Sequence, residues 1–575
     1  MQKITSFLSL LFILFTMGCD DEEVARLTVS ESLIEVAPEG VVSGFVVETD
    51  AGAWAITNPA ADWVTLSQSS GTQSRALISL TVATRSLTPR TDTLVIRAGN
   101  AAPVNVVVSQ AASDFLYQLA VNRVSADFSF QGGSLPMTVT GTAPRWTLTA
   151  DAPWVELSQG EGVAGTASVN VVAAPYTGSQ NRTARVTLSG EAAPASVIEV
   201  TQRASYPDYN TSPIDPDATG MGSTATELAS RIKIGWNIGN TLEAIGGETA
   251  WGNPLVTENL IKLVKQNGFN AIRIPCSWNQ YLESNATAKI KESWLNRVKQ
   301  VVQWCVDNDV YVILNIHWDG GWLENHCTPD KQFENNAKQK ALWTQIATHL
   351  RDFDERLIFA GTNEPNVENA TQMAVLQTYL QTFVDAVRAT GGRNYYRTLV
   401  VQGPSTDVEM TQKLMTAMPT DVVPNRMMAE IHYYTPFQYC LMSEDASWGK
   451  MFYYWGKDYH SATDAGRNAS WGEEARLEEL MGMMKQQFVD KGIPVIMGEY
   501  AVIRRTNLTG DNLKLHLASR AYYLKYLTQK AKANGLLPFY WDAGNMDANA
   551  SALFNRKNNT VFDQVALDAI MEGAK

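Results

Sequence analysis

Leu357-Ile358-Phe359-Ala360-Gly361-Thr362-Asn363-Glu364-Pro365 and Ile493-Pro494-Val495-Ile496-Met497-Gly498-Glu499-Tyr500 have the same layout: a short apolar run that reads as a buried strand, closed by a glutamate. A glutamate at the C-terminal tip of a parallel strand faces the mouth of an α/β domain, where ligands bind. Two of them in one domain invite acid/base chemistry. Taken singly, each also fits an ordinary solvated carboxylate, so the surrounding sequence has to decide.

Around these two stretches, from about residue 223 onward, strands and helices alternate. The expected strands are Ile232–Trp236, Ala271–Ile274, Val310–Ile316, Leu357–Gly361, Thr398–Gln402, Met428–His432, Pro494–Gly498 and Leu537–Tyr540. Amphipathic stretches separate them, among them Thr257–Gln266, Trp294–Asn308, Ala341–Phe353, Met373–Ala389 and Leu513–Ala533. Eight such units predict a (β/α)8 barrel over 223–575. A doubly wound sheet is the alternative, but polar residues end nearly every strand, which favours one shared mouth. The first strand runs into Asn237 and Asn240, the second ends in Arg273, the third in Asn315 and His317-Trp318. The fourth supplies Asn363-Glu364, the sixth His432-Tyr433-Tyr434, the seventh Glu499-Tyr500 and the eighth Trp541-Asp542.

Residues 25–203 hold an internal repeat. Trp54-Ala-Ile-Thr and Trp63-Val-Thr-Leu-Ser-Gln return as Trp146-Thr-Leu-Thr and Trp154-Val-Glu-Leu-Ser-Gln, an offset of about ninety residues. Period-two alternation, as in Val104-Asn-Val-Val-Val, predicts two antiparallel β-sandwiches, 25–112 and 114–203. Both copies resemble the BACON domain, an immunoglobulin-like module, on the W-V-x-L-S motif and the closing S/T-Q strand. Trp63 and Trp154 are expected in the sandwich cores. Residues 204–222, with Pro207, Pro213, Pro216 and Gly220, read as a polar linker.

At the N-terminus Lys3, the apolar run Phe7–Met17 and Gly18-Cys19 read as a secretory signal, too short to span a membrane. Gly18-Cys19 resembles a bacterial lipobox, with Thr16 where Leu is usual, which implies cleavage after residue 18, lipidation of Cys19 and an outer-membrane anchor. The acidic run Asp20–Glu23 resembles tails that accompany surface display. Cys276, Cys305, Cys327 and Cys440 form no CxxC pair and no zinc spacing. The first two read as core thiols, and whether Cys327 meets Cys440 is open.

The 575 residues carry a formal charge of -13, with only 18% charged side chains and no basic stripe, which argues against a nucleic-acid partner. The 16 Trp and 20 Tyr suit a large core and equally a neutral, ring-shaped ligand. Two glutamates at one mouth, without metal-ligand spacing, point to glycoside hydrolysis. One carboxyl protonates the leaving oxygen and the other meets an oxocarbenium-like carbon. A gap of about 5 to 5.5 Å between them would mean retention of configuration, and about 6.5 to 9.5 Å inversion.

Residues 223–575 resemble glycoside hydrolase family 5 on Gly235-Trp-Asn-Ile-Gly-Asn-Thr-Leu-Glu243, Arg273-Ile-Pro275, Asn315-Ile-His317, Asn363-Glu-Pro365, His432-Tyr-Tyr434, Gly498-Glu-Tyr500 and Trp541-Asp542. The resemblance implies a retaining endo-β-1,4-glucanase that needs no metal or cofactor, with Glu364 as acid/base and Glu499 as nucleophile. It implies that Arg273 and Tyr434 contact Glu499 and that Asn363 holds the hydroxyl beside the reacting carbon. His317 and His432 would position sugar and catalyst, and Trp541 would lie under the ring. Asn240 is placed with the substrate-binding residues. Where many relatives have a second histidine this chain has Trp318, so Trp318 and Trp322 either widen the cleft or form a stacking platform, and Trp278 is another platform candidate. The expected partner is a cellulose-like β-glucan, with xyloglucan or mixed-linkage glucan as the alternative and mannan and xylan behind. A monomer is expected. A noncatalytic glycan-binding lipoprotein is the rival from another class, and a structural adhesin the third reading.

Overall fold

The computed structural model describes residues 24–575 except 38–39, 41, 84–88, 113–116, 179–180 and 191–192. Cys19 and the apolar leader lie outside the described residues, and no helix among those described is long and apolar enough to cross a membrane. The chain divides into two units, one ending at Ser205 and one starting at Tyr206.

In the first unit, strict alternation builds two sandwich modules. Arg75–Val82 buries Ala76, Ile78, Leu80 and Val82 and turns the residues between them outward. In the first module a four-stranded and a five-stranded sheet enclose a core that includes Trp54, Trp63, Ile78 and Val106. In the second, the strands equivalent to Val42–Thr49 and Trp54–Thr57 run together as one strand, Gly133–Ala150, with an irregularity between Gly141 and Arg145. The repeated Trp and Gln have a structural explanation. Gln110 and Gln202 are fully buried, and each accepts from an arginine, Arg90 Nε at 2.7 Å and Arg182 Nε at 3.0 Å. Those guanidiniums lie over Trp63 and Trp154, 4.4 and 4.2 Å from the ring centres; Trp63 is in the core as expected, whereas Trp154 is partly buried and packs against its core from the edge.

In the second unit eight parallel strands close a barrel: β1 Gly235–Ile238, β2 Ala271–Ile274, β3 Tyr311–Asn315, β4 Leu357–Ala360, β5 Leu399–Gln402, β6 Met427–Tyr433, β7 Val495–Tyr500 and β8 Leu536–Asp542. The barrel interior is layered because alternate residues point inward. Ala271, Ile313, Ile358, Val400, Met428, Ile496 and Phe539 form an apolar lower layer, closed from below by Ala225, Leu228 and Ala229 of helix α1 (Ala225–Arg231). That plug corrects the first strand: Ile232 caps α1 and joins the lower layer, so β1 begins at Gly235, three residues later than expected. Above the apolar layer the inward positions are polar. Asn237, Arg273, Asn315, Gln402 and Glu430 are all fully buried and form the floor of the mouth.

Helices pack outside, α2 Glu258–Gln266, α3 Glu292–Asp307, α4 Pro329–His349, α5 Ala370–Ala389, α6 Val408–Leu414, α7 Glu474–Gln487, α8 Gly510–Ala533 and α9 Gln564–Gly573. Helix α4 starts twelve residues before the expected Ala341, at a proline in its first turn. Its extra turns are polar and dock by hydrogen bonds, Asn335 to the Trp322 carbonyl (3.1 Å) and Lys338 to Asn279 (2.6 Å), so hydrophobic periodicity could not reveal them.

The stretch read as a linker is tied to the barrel for most of its length. Tyr206 and Tyr209 pack against the barrel core, and the Tyr209 hydroxyl donates to the Thr287 carbonyl at 2.9 Å. Ile214–Pro216 pairs in parallel with Gly391–Gly392, and Met221 is 1% exposed. The four described cysteines are free and buried, so Cys327 and Cys440 are not paired.

Candidate active site

The strand tips bring the predicted polar residues together. β6 presents its inward side chains in order, Met428, Glu430 and His432, while Ala429, Ile431 and Tyr433 face the helices. β7 would put Met497 and Glu499 on the helix side by the same alternation. The register shifts between Met497 and Tyr500 correct this, turning Glu499 to the mouth and leaving Tyr500 outside, where its hydroxyl meets Thr528 at 2.9 Å. Gly498 permits that bulge, because a Cβ there would overlap the Glu430 carboxylate.

Arg273 is the hub. Its Nη1 donates to Glu499 Oε1 (2.8 Å) and Asn237 Oδ1 (3.0 Å), its Nη2 donates to Asn363 Oδ1 (2.8 Å), and its Nε forms an ion pair with Glu430 Oε1 at 2.9 Å. Tyr434 donates its hydroxyl to Glu499 Oε2 at 3.0 Å. His432 Nδ1 lies 2.6 Å from Glu364 Oε1 and 3.7 Å from Glu499 Oε2. A Glu364 oxygen and a Glu499 oxygen lie within 4.8 Å of each other, with the His432 nitrogen inside the same limit. That is the short class of carboxylate separation. The Glu364 side chain is 43% exposed and that of Glu499 only 7%, so Glu364 stands in the cleft and Glu499 on its floor.

Burial works against charge on both glutamates. At Glu364 it is outweighed by the His432 hydrogen bond and charge and by Arg273, which hold the carboxyl below its ordinary value. At Glu499 burial prevails, against His432 and Arg273 and with the negative Glu364 adding to it, so the carboxyl lies above its ordinary value. His317, half-buried and next to Asn315 (3.2 Å), is pushed well down by burial, Arg273 and His432, and stays neutral. Its ring lies parallel to Trp541, 5.7 Å between centres, on one wall of the mouth.

The remaining candidates separate. Trp318 is 41% exposed at the mouth. Trp322 is packed, its indole donating to Asp319 at 2.9 Å with Lys338 over the ring. Trp278 is fully buried and bonded to the Asn315 carbonyl at 3.0 Å, so it is core and not a platform. Asn240 sits in the turn after β1 at φ 58°, its N–H donating to Glu243 and its carbonyl accepting from Asn253. Asn237 makes the contact to Arg273.

Two site residues escaped the sequence reading. Glu430 lies inside an otherwise apolar strand, where a charged residue at an inward position is the available signal. Glu324, in the loop after β3, accepts from the backbone N–H of Glu364, and burial pushes it up to about 7. A carboxylate isolated in a loop carries no such signal.

The profile of the family described as Cellulase (glycosyl hydrolase family 5) matches residues 237–547. The chain belongs to glycoside hydrolase family 5. This family 5 enzyme also matches the BACON profile, a putative N-terminal binding domain, at 52–111 and 145–203. It is 37% identical over 474 residues, 79% of its own chain and 91% of the relative, to a xyloglucan-specific endo-β-1,4-glucanase of Bacteroides ovatus. It is also 37% identical to endoglucanase A of Paenibacillus barcinonensis over 61% of this chain and 90% of that protein. Among solved structures it is similar to the Bacteroides ovatus family 5 xyloglucanase bound to an XXXG heptasaccharide (TM-score 0.59, 35% identity, 80% of this chain and 100% of that one). It is likewise similar to a broad-specificity endoglucanase from Ruminococcus champanellensis with cellotriose (TM-score 0.53, 32% identity, 61% and 98%). The family 5 enzyme is therefore a retaining glycoside hydrolase, in accord with its closely spaced glutamates.

Proposed function

We propose that the barrel cleaves internal β-1,4-glucosidic bonds of a glucan, with Glu499 as nucleophile and Glu364 as acid and then base. The observation that carries this is the pairing of a sunken Glu499, held by Arg273 and Tyr434, with a cleft-exposed Glu364 inside 4.8 Å. In the first step Glu499 bonds to the anomeric carbon while the departing sugar oxygen takes a proton from Glu364. In the second, a water oxygen bonds to the anomeric carbon as its proton passes to Glu364, and the Glu499 carboxylate leaves. The proton for the first step is at hand on the His432–Glu364 pair.

As substrate we favour xyloglucan over an unbranched cellulose-like glucan. A relative that matches 79% of this chain, more than the barrel alone, is named xyloglucan-specific. The loops after β1 and β3 also expose Ile245, Trp251, Leu255 and Trp318, apolar side chains on which branches of the glucan could rest. Anchoring through a lipidated Cys19 belongs to the same proposal, and loss of acyl labelling in Cys19→Ala tests it. Reducing-sugar release by residues 24–575 on tamarind xyloglucan, barley β-glucan, carboxymethylcellulose, xylan and mannan tests the substrate. The highest rate on xyloglucan is expected, the highest on carboxymethylcellulose restores the unbranched reading, and silence on all five overturns the enzymatic one.

A further inference from the structure

Beneath the two glutamates lies a third, Glu430, fully buried at the inward position of β6 one step below His432. It touches three other strands. Arg273 of β2 pairs with its Oε1 (2.9 Å), and Gln402 of β5 donates to its Oε2 (2.5 Å). Gln402 in turn accepts from the Thr362 N–H at 2.9 Å, directly ahead of Asn363-Glu364. His432 Nε2 lies 3.3 Å from Oε1, and Gly498 of β7 lies against the carboxylate. A carboxylate, an imidazole and a second carboxylate thus form one line, Glu430, His432, Glu364, with both ring nitrogens facing an oxygen.

We propose that Glu430 is a positioning residue of the hydrolytic reaction, whose carboxylate holds His432 as a doubly protonated imidazolium and so keeps beside Glu364 the proton destined for the leaving sugar. The proposal rests on the reading of Glu364 as the acid. The ionisable groups around His432 are Glu430 and Tyr434 on its own strand and its extension, Glu364 after β4, Glu499 on β7, Arg273 on β2 and His317 after β3. Arg273 Nη2 lies 3.4 Å from His432 Nε2, so a neutral imidazole would accept from it there. Three carboxylates, two of them buried, against one guanidinium decide for the second proton: with a neutral ring the groups around His432 would carry two excess negative charges, and the imidazolium leaves one. Burial pulls the imidazole down, yet Glu499, Glu364 and Glu430 together push it up to about 10. The 2.6 Å contact to Glu364 has the length of a charge-assisted hydrogen bond.

Two measurements on the full chain test this. The first is the pH dependence of kcat/KM for Glu430→Gln, an isostere that removes the charge. Its basic limb should move to lower pH by about one unit or more, the effect of deleting a nearby opposite charge, whereas a residue that only packs would lower kcat and leave the limb in place. The second uses the wild-type protein with 15N-labelled histidine, which has only six histidines to resolve. His432, assigned by its loss in His432→Gln, should show both nitrogens protonated at pH 7. A neutral ring overturns the proposal whether or not Glu430→Gln folds, and so does an unmoved limb in a folded variant. The underlying acid assignment fails separately: Glu364→Gln should lose about 10²–10⁴-fold on polysaccharide and keep its first step on a substrate with a good leaving group, and equal loss on both would reject Glu364 as the acid while the imidazole measurement stands.

Discussion

At Glu499 two side chains and a buried position act on one carboxylate, and each has a different job. Arg273 supplies charge, Tyr434 supplies an uncharged donor, and the floor position supplies burial. Glu499→Ala removes the nucleophile and should reduce turnover to background while oligosaccharide binding, measured by calorimetry, persists. Tyr434→Phe is more informative. The acidic limb of kcat/KM reports ionisation of the free enzyme's essential base, and burial places that limb above the ordinary carboxylate value. Deleting a donor to the charged form raises the pKa further, so the limb of Tyr434→Phe should lie at higher pH than wild type. A limb displaced to lower pH would contradict the role given to Tyr434.

The elements explain what was legible beforehand. Strand tips were readable because a polar residue after four apolar ones has few places to go, and Arg273, Asn363, Glu364, His432, Tyr434, Glu499 and Trp541 all came from that signal. The interior of β6 was not, since Glu430 sits where alternation and apolar neighbours predict another Met428. Nor was the bulge of β7, whose only mark in the sequence is a glycine. Gly498→Ala should therefore cost activity far out of proportion to its size, by displacing Glu430, and far-UV dichroism should show the barrel intact. The mouth loops also carry three buried acids, of which the motifs quoted from the sequence include only Glu243. Glu243 after β1, and Asp319 and Glu324 after β3, are each pushed up to about 7 by burial. A carboxyl whose folded value is raised contributes stability that is complete below its unfolded value and is lost as pH rises through the folded one. The thermal midpoint should fall between about pH 5 and 7, and the combined Glu243→Gln, Asp319→Asn, Glu324→Gln variant should flatten that slope in calorimetric scans.

At the scale of the whole molecule, the repeat, the change of period at about 223 and the eight-unit barrel were all visible in the sequence, because sandwich and barrel bury their cores with different spacings. The strap from Tyr206 to Gly222 was not, since prolines and polar residues look the same whether a segment is free or docked. Its contacts set the next expectation. A fragment of residues 206–575 should melt close to the barrel transition of the full chain. One of residues 223–575, stripped of Tyr206, Tyr209 and Met221, should lose about 2–5 kcal/mol in denaturant unfolding, the scale of burying one or two large apolar side chains. Equal stability of the two fragments would show the strap to be ornamental.

The strap also bears on how such chains are recombined. The recognisable family match begins at residue 237, yet the piece that folds begins some thirty residues earlier, in sequence with no family signature of its own. A gene fusion joined at the signature would transplant the catalytic glutamates intact and leave behind the segment that covers the barrel's side. A junction just after Ser205, between one module's last strand and the first docked tyrosine, is the place where a new partner can be spliced on without opening either core.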